Sequence, residues 1–139
     1  MRPPVKILSR LSIRSVLLAY GPAFLLAISN LSVAFAADFP GAGHKFIADF
    51  KKLRFEQVYP SATALTWTTL NPDGSRGESG TVSIQTQQIA DSVFMVSWQE
   101  ANKATVVQIQ DYAQKIIYTN LTLPDGSFIQ LKGSFNPSS

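Results

Sequence analysis

Phe94-Met95-Val96-Ser97-Trp98-Gln99 sets a large apolar side chain at every second position, with Met95, Ser97 and Gln99 between them. Successive side chains of a strand point to opposite faces, so a period of two predicts a β-strand with one face turned to a core. The same period runs through Val82, Ile84 and Thr86, and through Ile129, Leu131, Gly133 and Phe135. Turn chemistry separates these runs. Asn71-Pro72-Asp73-Gly74 and Pro124-Asp125-Gly126 combine a proline-fixed φ with a glycine free to take positive φ, while Ala101-Asn102-Lys103 and Tyr112-Ala113-Gln114 stand at hairpin spacing. Eight strands are predicted, near 45–50, 53–59, 63–70, 80–87, 92–100, 104–111, 115–123 and 127–135.

No stretch between these strands is long and periodic enough for a crossover helix, so the chain is predicted to be all-β, a small antiparallel up-and-down barrel of about eight strands. Closure removes exposed strand edges. A sandwich is the alternative, but it normally needs a long Greek-key return, and every connection here is local. A barrel of this size either fills with side chains or holds one small ligand. The Gly74-Ser75-Arg76-Gly77-Glu78-Ser79-Gly80 run reads as a mobile hairpin loop, and Gly41-Ala42-Gly43-His44 after Pro40 as a flexible leading segment.

The chemically suggestive residue is Glu100. By parity it points the same way as Phe94, Val96 and Trp98, which would put its carboxylate inside the barrel rim, partly withdrawn from water and ready for proton transfer or for pairing with a ligand cation. The other reading is that the strand ends at Gln99 and Glu100 sits in a solvated turn. Trp67, Trp98, Tyr59 and Tyr118 are candidates for an aromatic ligand wall, with Val82, Ile84 and Val96 beside them on the inner face; the same residues would serve equally as core packing.

The start of the chain has a different grammar. Arg2, Lys6, Arg10 and Arg14 form a cationic stretch without an acid, an apolar run follows from Ser15 to Ile28, and Ala34-Phe35-Ala36 supplies a small-residue cleavage site before Ala37. That layout predicts a secretory signal peptide over 1–36 and a mature domain over 37–139, secreted or periplasmic in a bacterium. An uncleaved anchor is the alternative, but Gly21, Pro22, Ser29, Asn30 and Ser32 interrupt the apolar run, so no stable membrane insertion is expected after cleavage. Four of the twelve basic residues and none of the nine acids fall in the signal, leaving eight basic against nine acidic side chains in the mature part. The basic isoelectric point therefore gives no reason to expect nucleic acid as a partner. Lys51, Lys52 and Arg54 are the one local basic cluster.

Without cysteine the chain has no disulfide, thiolate metal site or cysteine nucleophile. Its single histidine, His44, cannot supply the three or four ligands of a zinc site, so no metal is expected. There is no Gly-x-Ser-x-Gly elbow and no phosphate-binding loop ahead of a helix, so neither a catalytic set nor a cofactor is assigned.

The Ser97-Trp98-Gln99-Glu100 hairpin, the Leu65-x-Trp67 strand, a glycine before the fourth strand and Val107-x-Ile109-x-Asp111-Tyr112 together resemble the MoaF family (molybdenum cofactor biosynthesis protein F) and, more distantly, the phenolic acid decarboxylases. The resemblance implies a calycin or lipocalin-like barrel. In the decarboxylases the carboxylate matching Glu100 works with two first-strand tyrosines and an upstream arginine, whereas the matching first-strand positions here are near Ile47 and Asp49, and Val82 stands in the arginine region. Arg76 could reach the site only if its loop folded over the mouth. A MoaF-like name would not imply molybdopterin chemistry. The expected function is binding of a small apolar or aromatic molecule by a monomer or weak homo-oligomer, with Tyr59, Trp67, Val82, Ile84, Val96, Trp98, Glu100 and Tyr118 as ligand contacts. An altered decarboxylase and a ligand-free structural or interaction module are the alternatives.

Overall fold

A computed structural model describes residues 38–139; the expected signal peptide lies outside the described residues. Nine antiparallel strands and no helix make up this part: β1 (Lys45–Asp49), β2 (Arg54–Ser61), β3 (Ala64–Leu70), β4 (Arg76–Ser83), β5 (Gln85–Ala90), β6 (Val93–Gln99), β7 (Thr105–Asp111), β8 (Ile116–Thr122) and β9 (Phe128–Pro137). Their order in the single sheet is β4-β3-β2-β1-β9-β8-β7-β6-β5. All neighbouring pairs except β1–β9 are joined by hairpin turns.

The two edges of the sheet are consecutive in the chain. β4 pairs with β3 as far as Ser83, and after one residue β5 begins to pair with β6 at Gln85. Ile84 is the pivot: its side chain is buried in the core, and its amide donates to the Thr63 carbonyl at 2.9 Å. One bent stretch thus serves both edges, curling the sheet into an up-and-down barrel that stays open along the β4–β6 seam. The expected strand at 80–87 is therefore two strands. The Gly74–Gly80 run is not a loop either, because from Arg76 onward its backbone pairs with β3; an exposed edge strand needs no apolar alternation to form.

Three turns at one end share a plan. Gly74 donates to the Asn71 carbonyl and Asn71 to the Ser75 carbonyl; Gly126 and Leu123 repeat this across Leu123–Ser127, and Lys103 and Glu100 across Glu100–Ala104. This is a four-residue turn followed by a positive-φ residue, the usual three-residue hairpin with a bulge. Gly74 and Gly126 take that position at φ 85 and 86, and Lys103 takes it at φ 75 at some conformational cost.

The opposite end is closed by aromatic packing. Phe39 heads the segment whose Gly41–His44 stretch was expected to be flexible; it is 6% exposed and meets Tyr59, Phe94 and Tyr112 edge to face at 5.2–6.1 Å. Phe46 stacks on Phe135 at 4.6 Å. The segment is ordered because its phenyl ring completes this plug, and because Gly43 donates to the Tyr59 carbonyl and Tyr59 to that of His44. Burial of the phenyl ring contributes about 1.5–3 kcal/mol, which offsets part of the cost of ordering the segment at about 1–2 kcal/mol per residue.

Candidate functional site

Above the aromatic plug the barrel is hollow. A cavity of about 560 Å³ opens toward the β1–β2, β6–β7 and β8–β9 turns, within the size range of sites for small organic ligands. Its walls are mainly apolar: Phe50 and Phe55 on one side, Val106, Leu121 and Leu131 on the other, with Trp67 and Trp98 between. Leu53 and Ile129, 48% and 38% exposed, stand at the mouth.

Glu100 is in this cavity. Phe94, Val96 and Trp98 are all buried on the inner face of β6, and the carboxylate continues their row, accepting a hydrogen bond from Trp98 Nε1 at 2.7 Å. β6 extends beyond its last partner in β5, Ser97↔Gln85, so this pair borders the open seam. Across the seam Glu78 is the second carboxylate lining the cavity.

Trp67 lies flat against β4. A β-carbon on Gly80, its cross-strand partner, would stand 2.8 Å from Cε2 and Cζ2 of the indole, so glycine is what admits the ring. Among the described residues neither Trp67 Nε1 nor Thr119 Oγ1 has a hydrogen-bond partner; both are buried, and both residues line the cavity. Buried polar atoms are normally satisfied, so both are available to a ligand or to water.

The cavity floor is polar. Gln57 and Gln108 line it and Gln110 lies beneath them, all at most 3% exposed. Tyr112 Oη donates to Gln110 Oε1 at 2.6 Å, Gln110 Nε2 donates to Tyr59 Oη at 2.7 Å and to Gln108 Oε1 at 2.8 Å, and Tyr59 Oη donates to Gln57 Oε1 at 2.7 Å. Burial pushes the Tyr59 hydroxyl well above its ordinary range, opposed by the Gln110 hydrogen bond; burial, then the nearby Tyr59, does the same to Tyr112. Both phenols stay protonated and serve as fixed hydrogen-bond relays.

Of the expected ligand contacts, Trp67, Trp98 and Glu100 are brought together around the cavity. Tyr59, Val82, Ile84 and Val96 belong to the core instead, Tyr59 fully buried beneath Gln57. Tyr118 is on the outer face, 44% exposed, with Lys132 Nζ 5.3 Å from its ring centroid. β8 turns Ile117 and Thr119 inward, and the apolar run Ile116-Ile117-Tyr118 carries no parity signal. Phe50, Phe55, Gln57, Gln108, Thr119 and Leu121 were not expected at the site. Leu121 could be found from the alternation of β8, but an inward glutamine has no sequence signal of its own.

The decarboxylase comparison finds its partners elsewhere. Ile47 and Asp49 alternate with the buried Phe46 and Ala48, and Asp49 Oδ2 is 3.1 Å from Arg54 Nε. Arg76 does not fold over the mouth: its guanidinium is 2.7 Å from Glu56 Oε1 and 3.3 Å from Thr68 Oγ1, and Glu56 also faces Lys45 at 3.9 Å. No group of three or more potential metal ligands occurs among the described residues.

The family model described as MoaF-like matches residues 42–136. Among solved structures, one described as "a putative beta-lactamase from Burkholderia vietnamiensis" is similar, with 28% identity and a TM-score of 0.66 over 73% of this chain and 98% of that chain. No curated protein matches the sequence.

Proposed function

The chain belongs to the MoaF-like family, and from that premise we propose that it is an exported, non-catalytic binding protein for a small apolar or aromatic molecule. The observation that carries the reading is the cavity of about 560 Å³, with aromatic and aliphatic walls and few polar groups. Its space would take a two- or three-ring molecule, and burial of apolar surface supplies about 25 cal/mol per Å² before the costs of association. Export rests on the sequence of the first 36 residues.

The cavity-lining side chains support binding over catalysis. They include two carboxylates, Glu78 and Glu100, and neither a serine nor a lysine nor a histidine. Glu100 already accepts the Trp98 indole hydrogen, and Ile47 and Asp49, the first-strand positions matching a decarboxylase's tyrosines, alternate with the buried Phe46 and Ala48. The description carried by the structural neighbour suggests lactam hydrolysis as a second activity to assay, although the lining offers no serine nucleophile. Incubation with a hydroxycinnamate and with a chromogenic β-lactam, beside a calorimetric titration with neutral naphthalenes, tests the choice. Saturable binding without turnover supports the proposal, and turnover that depends on Glu100 contradicts it.

A further inference from the structure

We propose that the cavity floor is a polar subsite for an uncharged oxygen acceptor, so that the ligand is an apolar or aromatic molecule whose inner end carries a carbonyl group. This rests on the binding reading above and names the class of ligand. Gln57, Gln108 and Thr119 make the floor, at 2%, 3% and 7% exposure, and all three line the cavity.

The hydrogen bonds beneath the floor have a direction. Gln110 spends both Nε2 hydrogens, one on Tyr59 Oη and one on Gln108 Oε1, while its own Oε1 receives the Tyr112 hydroxyl. Tyr59, having accepted from Gln110, donates onward to Gln57 Oε1. The links Tyr112 to Gln110 to Gln108, and Tyr59 to Gln57, run from the aromatic plug toward the cavity, and Gln110 to Tyr59 joins the two. The network therefore holds Gln57 and Gln108 by their carbonyl oxygens, and among the described residues their Nε2 groups make no side-chain hydrogen bond. An amide whose oxygen accepts is polarised into a better donor. Thr119, the register partner of Gln108 on the next strand, adds a buried hydroxyl without a partner.

Donors dominate this floor, so the complementary group is an acceptor. A hydrocarbon would bury the amides and hydroxyl unsatisfied, which is the circumstance in which a polar site rejects an isostere most strongly. A carboxylate is disfavoured for a different reason. Among the described residues no lysine, arginine or histidine lines the cavity, while Glu78 and Glu100 do, so an anion would lose its hydration without gaining a countercharge and would face two like charges. A ketone, aldehyde, ester or amide oxygen takes the hydrogen bonds without that cost.

Calorimetric titration of the protein with 2-acetylnaphthalene, 2-isopropylnaphthalene and 2-naphthoate separates the cases. The ketone is expected to bind roughly three- to tenfold more tightly than its hydrocarbon near-isostere, with the carboxylate weakest. Thr119→Val and Gln108→Leu should close the gap between ketone and hydrocarbon, weakening the ketone and relieving the desolvation penalty on the hydrocarbon. If Gln108→Leu fails to fold, Thr119→Val and the wild-type ranking still decide. Equal binding of ketone and hydrocarbon would overturn the subsite and leave the binding reading standing, and tightest binding of the carboxylate would overturn the uncharged class. Absence of binding by all three probes would overturn the binding reading itself, and the subsite with it.

Discussion

Trp98 Nε1 donates to Glu100 Oε1 at 2.7 Å, from the last inward residue of β6 to the first residue of the turn that follows it. The bond fixes the indole edge against the carboxylate at the border of the cavity, so a ligand entering there meets both groups together. Glu100→Gln keeps an acceptor for the indole and removes the charge. Affinity for a cationic aromatic ligand should then fall by about 1.5–3 kcal/mol, and affinity for a neutral one should hardly change. Trp98→Leu should remove most of the ligand-induced fluorescence change, with Trp67→Leu removing less; fluorescence titration of the three variants checks this.

Two glycines make opposite demands on their neighbours. A β-carbon on Gly80 meets the Trp67 ring, which can shift into the cavity, whereas one on Gly133 meets the backbone carbonyl of Asp49, which is tied into β1 and cannot yield. Gly80→Ala should cost about 1–3 kcal/mol and reduce the cavity. Gly133→Ala should cost more, because two paired strands must separate. Urea denaturation with the two variants side by side measures the difference.

The Arg76 guanidinium holds the Glu56 carboxyl below its ordinary value of 4.5, with a hydrogen bond as the larger cause and charge, including that of Lys45, as the smaller; burial opposes both. A carboxyl whose folded value is depressed contributes stability that is present above its unfolded value and is lost as pH falls through the folded one. Arg76→Gln should therefore lower stability at neutral pH by a small amount, and the difference from wild type should vanish in strong acid. Thermal melts between pH 2 and 7 read it directly.

Protein recovered from a secreting host should begin at Ala37, or within a residue or two of it. Intact-mass spectrometry of the exported fraction measures the start. Recovery of the Met1 form in the membrane fraction would instead favour the anchor reading.

Strand positions were legible in the sequence wherever one face is apolar and the other polar, as in Phe94–Gln99, and the same parity placed Glu100 in the cavity. The β4–β5 switch was not, because Arg76–Gly80 forms a strand by backbone pairing at an exposed edge and carries no alternation to read. β7 misleads in a different way. Its apolar Val107 and Ile109 sit on the face opposite Val106, Gln108 and Gln110, and the inward glutamines are stable there through tyrosine and glutamine partners on β2 and β7 itself, which no local pattern announces. Phe39 was missed for a similar reason: a Gly-rich neighbourhood reads as loop until the rings that receive its side chain are brought around it.

If an apolar ligand sits in the hollow of the barrel and on no other surface, filling that hollow should abolish its binding. The most direct test is titration with N-phenyl-1-naphthylamine, a neutral aromatic fluorophore, into wild type and into Leu121→Trp, which fills the cavity from its wall, with far-ultraviolet circular dichroism confirming that the variant keeps its sheet. Wild type should show saturable one-to-one binding, and the filled variant a loss of at least tenfold, about 1.4 kcal/mol. Unsaturable binding, or equal affinity for a folded Leu121→Trp, would contradict binding in the hollow.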